Sequence, residues 1–172
     1  CIAMSDRFFL TKMIGFEATG LYAVGYAIGS MIGFFEQSFN LAYAPWLFKK
    51  LEQNDYKSKI KIVRLTYVYF ILILLLALLL SLVTPLVFKI FINKKFYGAQ
   101  IFVFWIALSF AFSGMYKMVT NYIFYVKKTH LLSVVTFISA LINLTLNYLL
   151  IGYFGAIGAA ISSTIVSFCF FV

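Results

Sequence analysis

Long runs of apolar residues, separated by short polar segments, dominate the pattern of the chain. A helix needs about 20 residues to cross the roughly 30 Å hydrocarbon layer of a membrane. Four runs reach that length: Leu21–Phe48, Leu65–Phe88, Ala99–Val126 and Leu131–Tyr153. Further apolar segments lie at the chain ends, at Cys1–Met13 and from Gly155 to Val172. The pattern predicts an all-α integral membrane protein, a polytopic helix bundle with helices at about 1–13, 21–48, 65–88, 99–126, 131–153 and 155–172.

The composition agrees with this pattern. Of the 172 residues, 64% are hydrophobic and 11% are charged, which is far more apolar than a soluble domain of this length can bury in one core. Because the first and last segments are apolar up to the chain ends, we expect the chain to be part of a larger bundle. Cys1–Met13 has no basic region followed by a small-residue cleavage site, so we interpret it as part of a helix and not as a signal peptide.

Positive charges are unevenly distributed between the two predicted membrane faces, and the formal net charge is +9. The loops of one face contain Lys49, Lys50, Lys57, Lys59, Lys61, Arg64, Lys127 and Lys128. The loops of the other face contain Lys12, Lys89, Lys94 and Lys95. By the positive-inside rule, the first face is cytoplasmic. The charge then sets the topology or attracts anionic lipid headgroups, and nucleic-acid binding is not expected.

Sequence signatures of enzymes and metal sites are missing. The chain has no GxxxxGK[ST] loop for nucleotide phosphates, no HExxH, no GxSxG and no carboxylate cluster suited to a metal. Cys1 and Cys169 lie in apolar sequence without a CxxC motif, so we interpret both as packing residues. We therefore predict no catalytic residues, no metal and no cofactor. This combination is more typical of a transporter than of an enzyme, and a structural membrane subunit is an alternative.

Small residues recur at four-residue intervals in two of the predicted helices. Each set lies on one face of its helix: Gly25, Gly29 and Gly33 in the first, and Gly155, Ala159 and Ser163 in the second. Small side chains let a second helix approach closely within a membrane. Both stripes are therefore predicted to be helix-packing surfaces.

Three predicted helices also have a stripe of polar residues inside the apolar run. The stripes are Glu36 and Asn40; Ser109, Ser113, Lys117 and Asn121; and Thr136, Ser139, Asn143 and Asn147. Ionisable residues at this depth normally face a bundle interior or a water-filled cavity, because a charge at the helix centre costs roughly 2.5–3.5 kcal/mol on insertion scales. In one interpretation, Glu36 forms a structural bridge with Lys117 or Arg7 and the asparagines hold helices together. In the other, the polar residues line a substrate or ion pathway.

Several segments, taken in order, resemble one family of transporters. They are DRFFLTKMIGFEATGLYAVGYAIG followed by Pro45, then INKKFYGAQ, YVKKTH and NLTLNYLLIGYFGAIGAAISST. This series is similar to the Wzx-like polysaccharide flippases, a branch of the multidrug/oligosaccharidyl-lipid/polysaccharide exporter superfamily. The most specific segment contains Asn143 and Asn147, followed by Gly155, Gly158 and Ala159.

The resemblance implies about fourteen helices in two bundles around a central cavity, the arrangement of repeat-built transporters. This chain is then most of the second, MATE-like bundle, from the end of helix seven to part of helix twelve. The implied substrate is a polyprenyl-pyrophosphate-linked oligosaccharide, which moves across the bacterial cytoplasmic (inner) membrane during O-antigen or capsule-like polysaccharide assembly. Its anionic pyrophosphate requires a cationic, hydrated pathway.

The candidate pathway residues are Arg7, Lys12, Glu36, Asn40, Lys117, Asn121, Asn143 and Asn147. We expect Arg7 and Lys117 to attract the pyrophosphate. Because the chain has no nucleotide site, the energy is expected from an H⁺ or Na⁺ gradient or from the substrate's own gradient, with Glu36 as a protonatable coupling group. Membrane lipids are the other expected partner. Two alternatives remain: a multidrug cation antiporter of the same superfamily, which requires an acidic cavity, and a membrane-embedded glycan polymerase or acyltransferase, which typically needs catalytic residues on a long loop.

Overall fold

The computed structural model describes residues 2–53 and 55–171, and within these ranges the fold is all-helical. The elements are α1 (Ile2–Met13), α2 (Phe16–Gly29), α3 (Met31–Glu52), α4 (Tyr56–Phe91), a 3₁₀ helix (Lys94–Ala99), α5 (Gln100–Tyr125), α6 (His130–Phe154) and α7 (Ala156–Phe171). Within the described ranges, four helical segments are long and apolar enough to cross a membrane: Phe16–Glu52, Tyr56–Phe91, Lys94–Tyr125 and His130–Phe154. The predicted all-α, polytopic membrane bundle is confirmed.

The first predicted span, 21–48, differs from the structure in its limits and in its continuity. The helix begins at Phe16, where Glu17 in the first turn interacts favourably with the helix dipole. It breaks at Ser30, between α2 and α3. The Ser30 hydroxyl donates to the carbonyl oxygen of Ala27 at 2.9 Å, and its backbone N–H donates to that of Tyr26 at 2.9 Å. Adjacent Gly and Ser residues are a common cause of such breaks, and hydropathy does not reveal this one because both halves are apolar.

The predicted basic loop between the first and second spans is largely helical. α3 continues to Glu52 and α4 begins at Tyr56. Ser58 is buried, and its hydroxyl donates to Oε1 of Gln53 at 3.3 Å. Lysine is a good helix former whose charged head reaches water from a helix surface, so the basic residues extend the helices instead of interrupting them. With 36 residues, α4 is about 54 Å long and extends beyond a hydrocarbon layer of roughly 30 Å.

α5 is the central helix and packs against α2, α3, α4 and α7. The predicted glycine stripe faces it. A Cβ on Gly29 would lie 2.7 Å from a side-chain carbon of Ile106, and a Cβ on Gly33 would lie 2.9 Å from the ring of Phe110. Gly25 lies equally close to the first turn of α5. Because no side chain fits in these gaps, the prediction that this stripe is a packing surface is confirmed.

α6 and α7 form a tight helical hairpin. Gly155 joins them with a φ angle of 66°, a backbone conformation that favours glycine. On α7, Ala159 and Ser163 are buried, as the second small-residue stripe predicts. Cys169 is exposed, so its prediction as a packing residue is wrong, because apolar sequence does not distinguish a lipid-facing position from a protein-facing one. Cys1 lies outside the described residues.

Candidate functional site

Asp6 on α1 lies in the interior of the bundle with 1% of its surface exposed. Its Oδ1 accepts a hydrogen bond from Nδ2 of Asn147 at 2.7 Å. Its Oδ2 accepts from the hydroxyls of Ser163 at 2.8 Å and Tyr22 at 3.0 Å. These donors belong to α6, α7 and α2, so one carboxylate links four helices. Asp6, Tyr22, Asn143, Asn147 and Ser163 are called the Asp6 cluster below.

Two asparagines, one turn apart on α6, complete the cluster. Oδ1 of Asn143 accepts from Nδ2 of Asn147 at 3.2 Å and from the hydroxyl of Ser5 at 3.0 Å. Nδ2 of Asn143 donates to the hydroxyl of Ser162 at 3.4 Å. Oδ1 of Asn147 is buried and has no hydrogen-bond partner among the described residues. Since a buried acceptor without a donor costs about 1–3 kcal/mol, this oxygen is suited to a bound donor or cation.

No basic side chain among the described residues forms an ion pair with Asp6. Within residues 2–53 and 55–171, the one ion pair joins Lys117 to Glu36. Arg7 follows Asp6 in the sequence, but it is exposed and its guanidinium lies 5.4 Å from the ring centroid of Tyr26. A buried carboxylate without a positive partner is strongly disfavoured, so the site suits either a proton or a cation. Oxygen ligands and a single negative charge favour a small, hard, monovalent cation.

A second polar group joins α3 to α5. Glu36 is 2% exposed, and its Oε1 accepts from the ammonium group of Lys117, whose side chain is 42% exposed. One helical turn away, Nδ2 of Asn121 donates to Oδ1 of Asn40 at 2.7 Å. These four residues are called the Glu36 ladder below. Of the two partners predicted for Glu36, Lys117 is confirmed and Arg7 is wrong, because Arg7 lies on the exposed face of α1.

The structure divides the predicted pathway residues into three groups. Asn143 and Asn147 belong to the Asp6 cluster, and Glu36, Asn40, Lys117 and Asn121 form the ladder. Arg7 and Lys12 are exposed on α1, where the ammonium group of Lys12 lies 4.9 Å from the ring centroid of Phe8. Neither basic side chain forms an ion pair with either group in the described part of the chain. The structure thus brings six of the eight candidates into two sites and leaves Arg7 and Lys12 apart from them.

Asp6, Tyr22 and Ser163 were not predicted from the sequence. A signal existed for Asp6, because an acidic residue inside an apolar segment marks a functional site by default. The resemblance favours Arg7 instead, because an anionic substrate requires positive charge. Neighbouring residues on a helix point about 100° apart, so only one of the two faces the interior. The hydroxyls of Tyr22 and Ser163 carry no comparable signal.

Two proteins of Haemophilus influenzae are similar to the chain. An uncharacterized membrane protein is 30% identical over 169 residues, which are 96% of this chain and 38% of that protein. A protein named for the Lsg locus is 26% identical over 161 residues, which are 90% of this chain and 40% of that protein. The chain thus spans about two fifths of the length of both relatives. No protein-family model and no solved structure matches it. Together with the apolar helices, the first relative shows that the chain is a membrane protein.

Proposed function

We propose that the chain is part of a cation-coupled flippase that moves polyprenyl-pyrophosphate-linked oligosaccharides across the bacterial cytoplasmic membrane. The observation that carries the transport function is the Asp6 cluster. It combines a buried carboxylate that has only neutral partners among the described residues with an asparagine oxygen that lacks a donor. A structural bundle gains no stability from an unbalanced buried charge, whereas a coupled transporter needs a site that binds and releases a cation.

Cation binding at this cluster provides a physical means of coupling. The hydrogen bonds of Asp6 link α1 to α2, α6 and α7, so a bound cation favours helix arrangements in which these four helices meet. Release of the cation favours arrangements in which they separate, because a ligand shifts a conformational equilibrium by its differential affinity for the two states. One positive charge crossing the membrane supplies about 2.3 kcal/mol per 100 mV of potential.

The substrate class rests on the sequence resemblance and on the Glu36 ladder. Glu36 holds the ammonium group of Lys117, yet the lysine side chain remains 42% exposed. A partly exposed cation within a membrane bundle can attract an anionic group such as pyrophosphate. The assignment to O-antigen or capsule-like polysaccharide assembly follows from the same resemblance.

Proteoliposomes that contain the complete natural protein test this proposal. The substrate is a fluorescent polyprenyl-pyrophosphate oligosaccharide, and a membrane-impermeant quencher reports the leaflet that it occupies. We expect movement between leaflets to accelerate with an imposed sodium or proton gradient, and this acceleration to disappear in Asp6→Asn. Oligosaccharide movement at the same rate with and without either gradient would contradict cation coupling.

The acidic Asp6 cluster also fits a multidrug cation antiporter. In the same proteoliposomes, gradient-driven movement of a cationic dye without movement of the lipid-linked oligosaccharide would favour that function. Movement of neither compound, in vesicles where the protein is folded, would contradict both.

A further inference from the structure

Three cavities in the described part of the chain follow one another away from the Asp6 cluster. The upper cavity has a volume of about 140 Å³, and its lining includes Asp6, Ser113 and Ser167. The middle cavity, of about 220 Å³, shares Ser113 and Ser167 with the upper one. The lower cavity is open to the surface, because most of its lining residues are exposed, and it shares Thr136 and Ala140 with the middle one. These shared residues make the cavities neighbours in a series that starts at the buried carboxylate.

The series leads towards the predicted cytoplasmic face. α6 begins at His130, beside the basic turn that the positive-inside rule places in the cytoplasm. At 1.5 Å per residue, Ser139 lies about 14 Å, Thr136 about 9 Å and Ser133 about 5 Å from that end of the helix. Ser139 lines the middle cavity and Ser133 the lower one. The open lower cavity is therefore at the predicted cytoplasmic edge, and the upper cavity is at Asp6.

The lining chemistry favours cations. Apart from Asp6, no residue that lines the three cavities is charged. The hydroxyls of Thr136 and Ser139 donate to carbonyl oxygens of their own helix, both at 2.7 Å, which leaves their lone pairs available to a cation or to water. The remaining hydroxyls of the upper and middle cavities include Ser109, Ser113 and Ser167. Such a path offers oxygen ligands to a cation and no positive group to an anion.

We propose that the three cavities form a cytoplasmic access path through which a small monovalent cation reaches and leaves the Asp6 cluster. Among the described residues its lining contains no basic side chain, whereas an anionic substrate requires positive charge. This inference rests on the proposed cation coupling, and it adds the side of the membrane from which the coupling site is reached.

Cysteine accessibility in the complete natural protein tests the path. Cys169 and any other native cysteine are first replaced by Ser, and Ser139→Cys is added to this background. A permanently cationic or an anionic methanethiosulfonate is then applied from the cytoplasmic side. Rates are normalised to those with 2-mercaptoethanol. We expect the cationic reagent to react about tenfold faster than the anionic one, because the path ends on a carboxylate. The matched control is Ile138→Cys, which lies at the same depth on α6 but outside the lining of the three cavities, so neither reagent should react there.

The deeper position Ser167→Cys tests the link between the upper and middle cavities. Silver ions, which are small monovalent cations that react with thiols, should modify it from the cytoplasmic side. Sodium should slow this reaction relative to N-methyl-D-glucamine, and Asp6→Asn should remove the protection by sodium. Equal rates for both methanethiosulfonates at Ser139→Cys, or no reaction at either cysteine, would overturn the path.

These outcomes separate the path from the proposed function. A cation-selective path in a protein that moves no lipid-linked oligosaccharide would leave the path standing and reject the flippase. Gradient-driven oligosaccharide movement in a protein whose Ser139→Cys behaves like Ile138→Cys would keep the flippase and reject the path.

Discussion

The two buried carboxylates of the bundle, Asp6 and Glu36, have opposite surroundings. Both are almost fully buried, at 1% and 2% exposure. Glu36 accepts from the ammonium group of Lys117, whereas the partners of Asp6 among the described residues are the neutral groups of Asn147, Ser163 and Tyr22. A lysine supplies a full positive charge, but amide and hydroxyl donors supply only dipoles. The Glu36 ladder is therefore balanced in charge, while an ionised Asp6 has no ion-pair partner among the described residues.

Hydrogen bonding alone does not separate these two sites. Oε2 of Glu36 and Oδ1 of Asn147 are both buried without a partner among the described residues. The difference is one of charge, and an unbalanced charge is what a cation site requires. For this reason we transfer the coupling role, which the sequence pattern suggested for Glu36, to Asp6. Glu36 then acts through Lys117, whose head it holds in place.

Neutralising Asp6 and Glu36 one at a time is expected to give the largest difference in stabilisation by sodium and in gradient-driven transport. Asp6→Asn keeps the shape of the side chain but removes its charge, so sodium should no longer stabilise the purified protein against thermal unfolding. In the wild type, sodium at 100 times its Kd adds about 2.7 kcal/mol to the free energy of unfolding. Gradient-driven transport in Asp6→Asn should fall at least about tenfold, the effect of losing roughly 1.4 kcal/mol of coupling.

Glu36→Gln is the matched control for Asp6→Asn. It also removes one buried charge, but we expect it to retain the stabilisation by sodium. Sodium dependence that survives in Asp6→Asn and disappears in Glu36→Gln would reverse the assignment of the two sites.

Removing the lysine tests whether the Glu36 ladder is structural. Lys117→Ala leaves a buried carboxylate without its partner, and breaking a fully buried pair costs about 3–5 kcal/mol. We expect a smaller loss because the lysine side chain is 42% exposed, and the double variant Glu36→Gln with Lys117→Met should recover most of it. Thermal unfolding of the purified variants measures both effects.

Oligosaccharide transport by variants of Lys117 distinguishes a structural role of this lysine from a role in substrate binding. If Lys117 attracts pyrophosphate, Lys117→Arg should retain most oligosaccharide movement per folded molecule, and Lys117→Glu should abolish it. The stable double variant should also be inactive. Wild-type movement in Lys117→Ala, at matched protein abundance, would exclude a role for this lysine in the substrate pathway.

A steric change near Glu36 is expected to have an intermediate effect. A Cβ on Gly114 would lie 2.6 Å from the hydroxyl oxygen of Tyr69 and 3.1 Å from Cγ of Glu36. Gly114→Ala should therefore lower the free energy of unfolding by about 1–3 kcal/mol through overpacking, and leave the response to sodium intact. The matched control is Gly152→Ala, whose Cβ would be in ordinary contact with Met13 at 3.9 Å. A loss of sodium stabilisation in Gly114→Ala would show that the two sites are not independent.

The fold was predictable because membrane helices are encoded by composition and length. Even so, the break at Ser30 and the helical continuation through Glu52 were not predicted. The break at Ser30 depends on a local competition for backbone carbonyl oxygens, and the continuation through Glu52 depends on the helix propensity of charged residues. Hydropathy measures neither property. The glycine stripe was predicted correctly, since close packing on a membrane helix requires small residues at a regular spacing.

The candidate site was predicted in part. Lys117 was one of the two partners predicted for Glu36, and it is confirmed; each is an ionisable residue on a polar stripe, and opposite charges within a membrane attract each other. Asp6 was not predicted, because its partners Tyr22 and Ser163 come from two other helices on which no polar stripe marks them. A stripe along one helix can be read from the sequence, whereas a cluster assembled from four helices depends on their packing.

The two asparagines of α6 are expected to give the smallest effects, and they distinguish helix contacts from cation binding within one cluster. Asn143→Ala and Asn147→Ala each remove hydrogen bonds between helices, so each should lower the free energy of unfolding by about 0.6–1.7 kcal/mol. Of these two asparagines, Asn147 is the one whose side-chain oxygen lacks a donor among the described residues. Asn147→Ala should therefore also need about tenfold more sodium for the same stabilisation, which corresponds to roughly 1.4 kcal/mol. Thermal unfolding at a series of sodium concentrations measures both quantities. An equal sodium response in the two variants would mean that both asparagines serve only as helix contacts. Loss of transport in Asn143→Ala at normal protein abundance would assign Asn143 to the transport pathway as well.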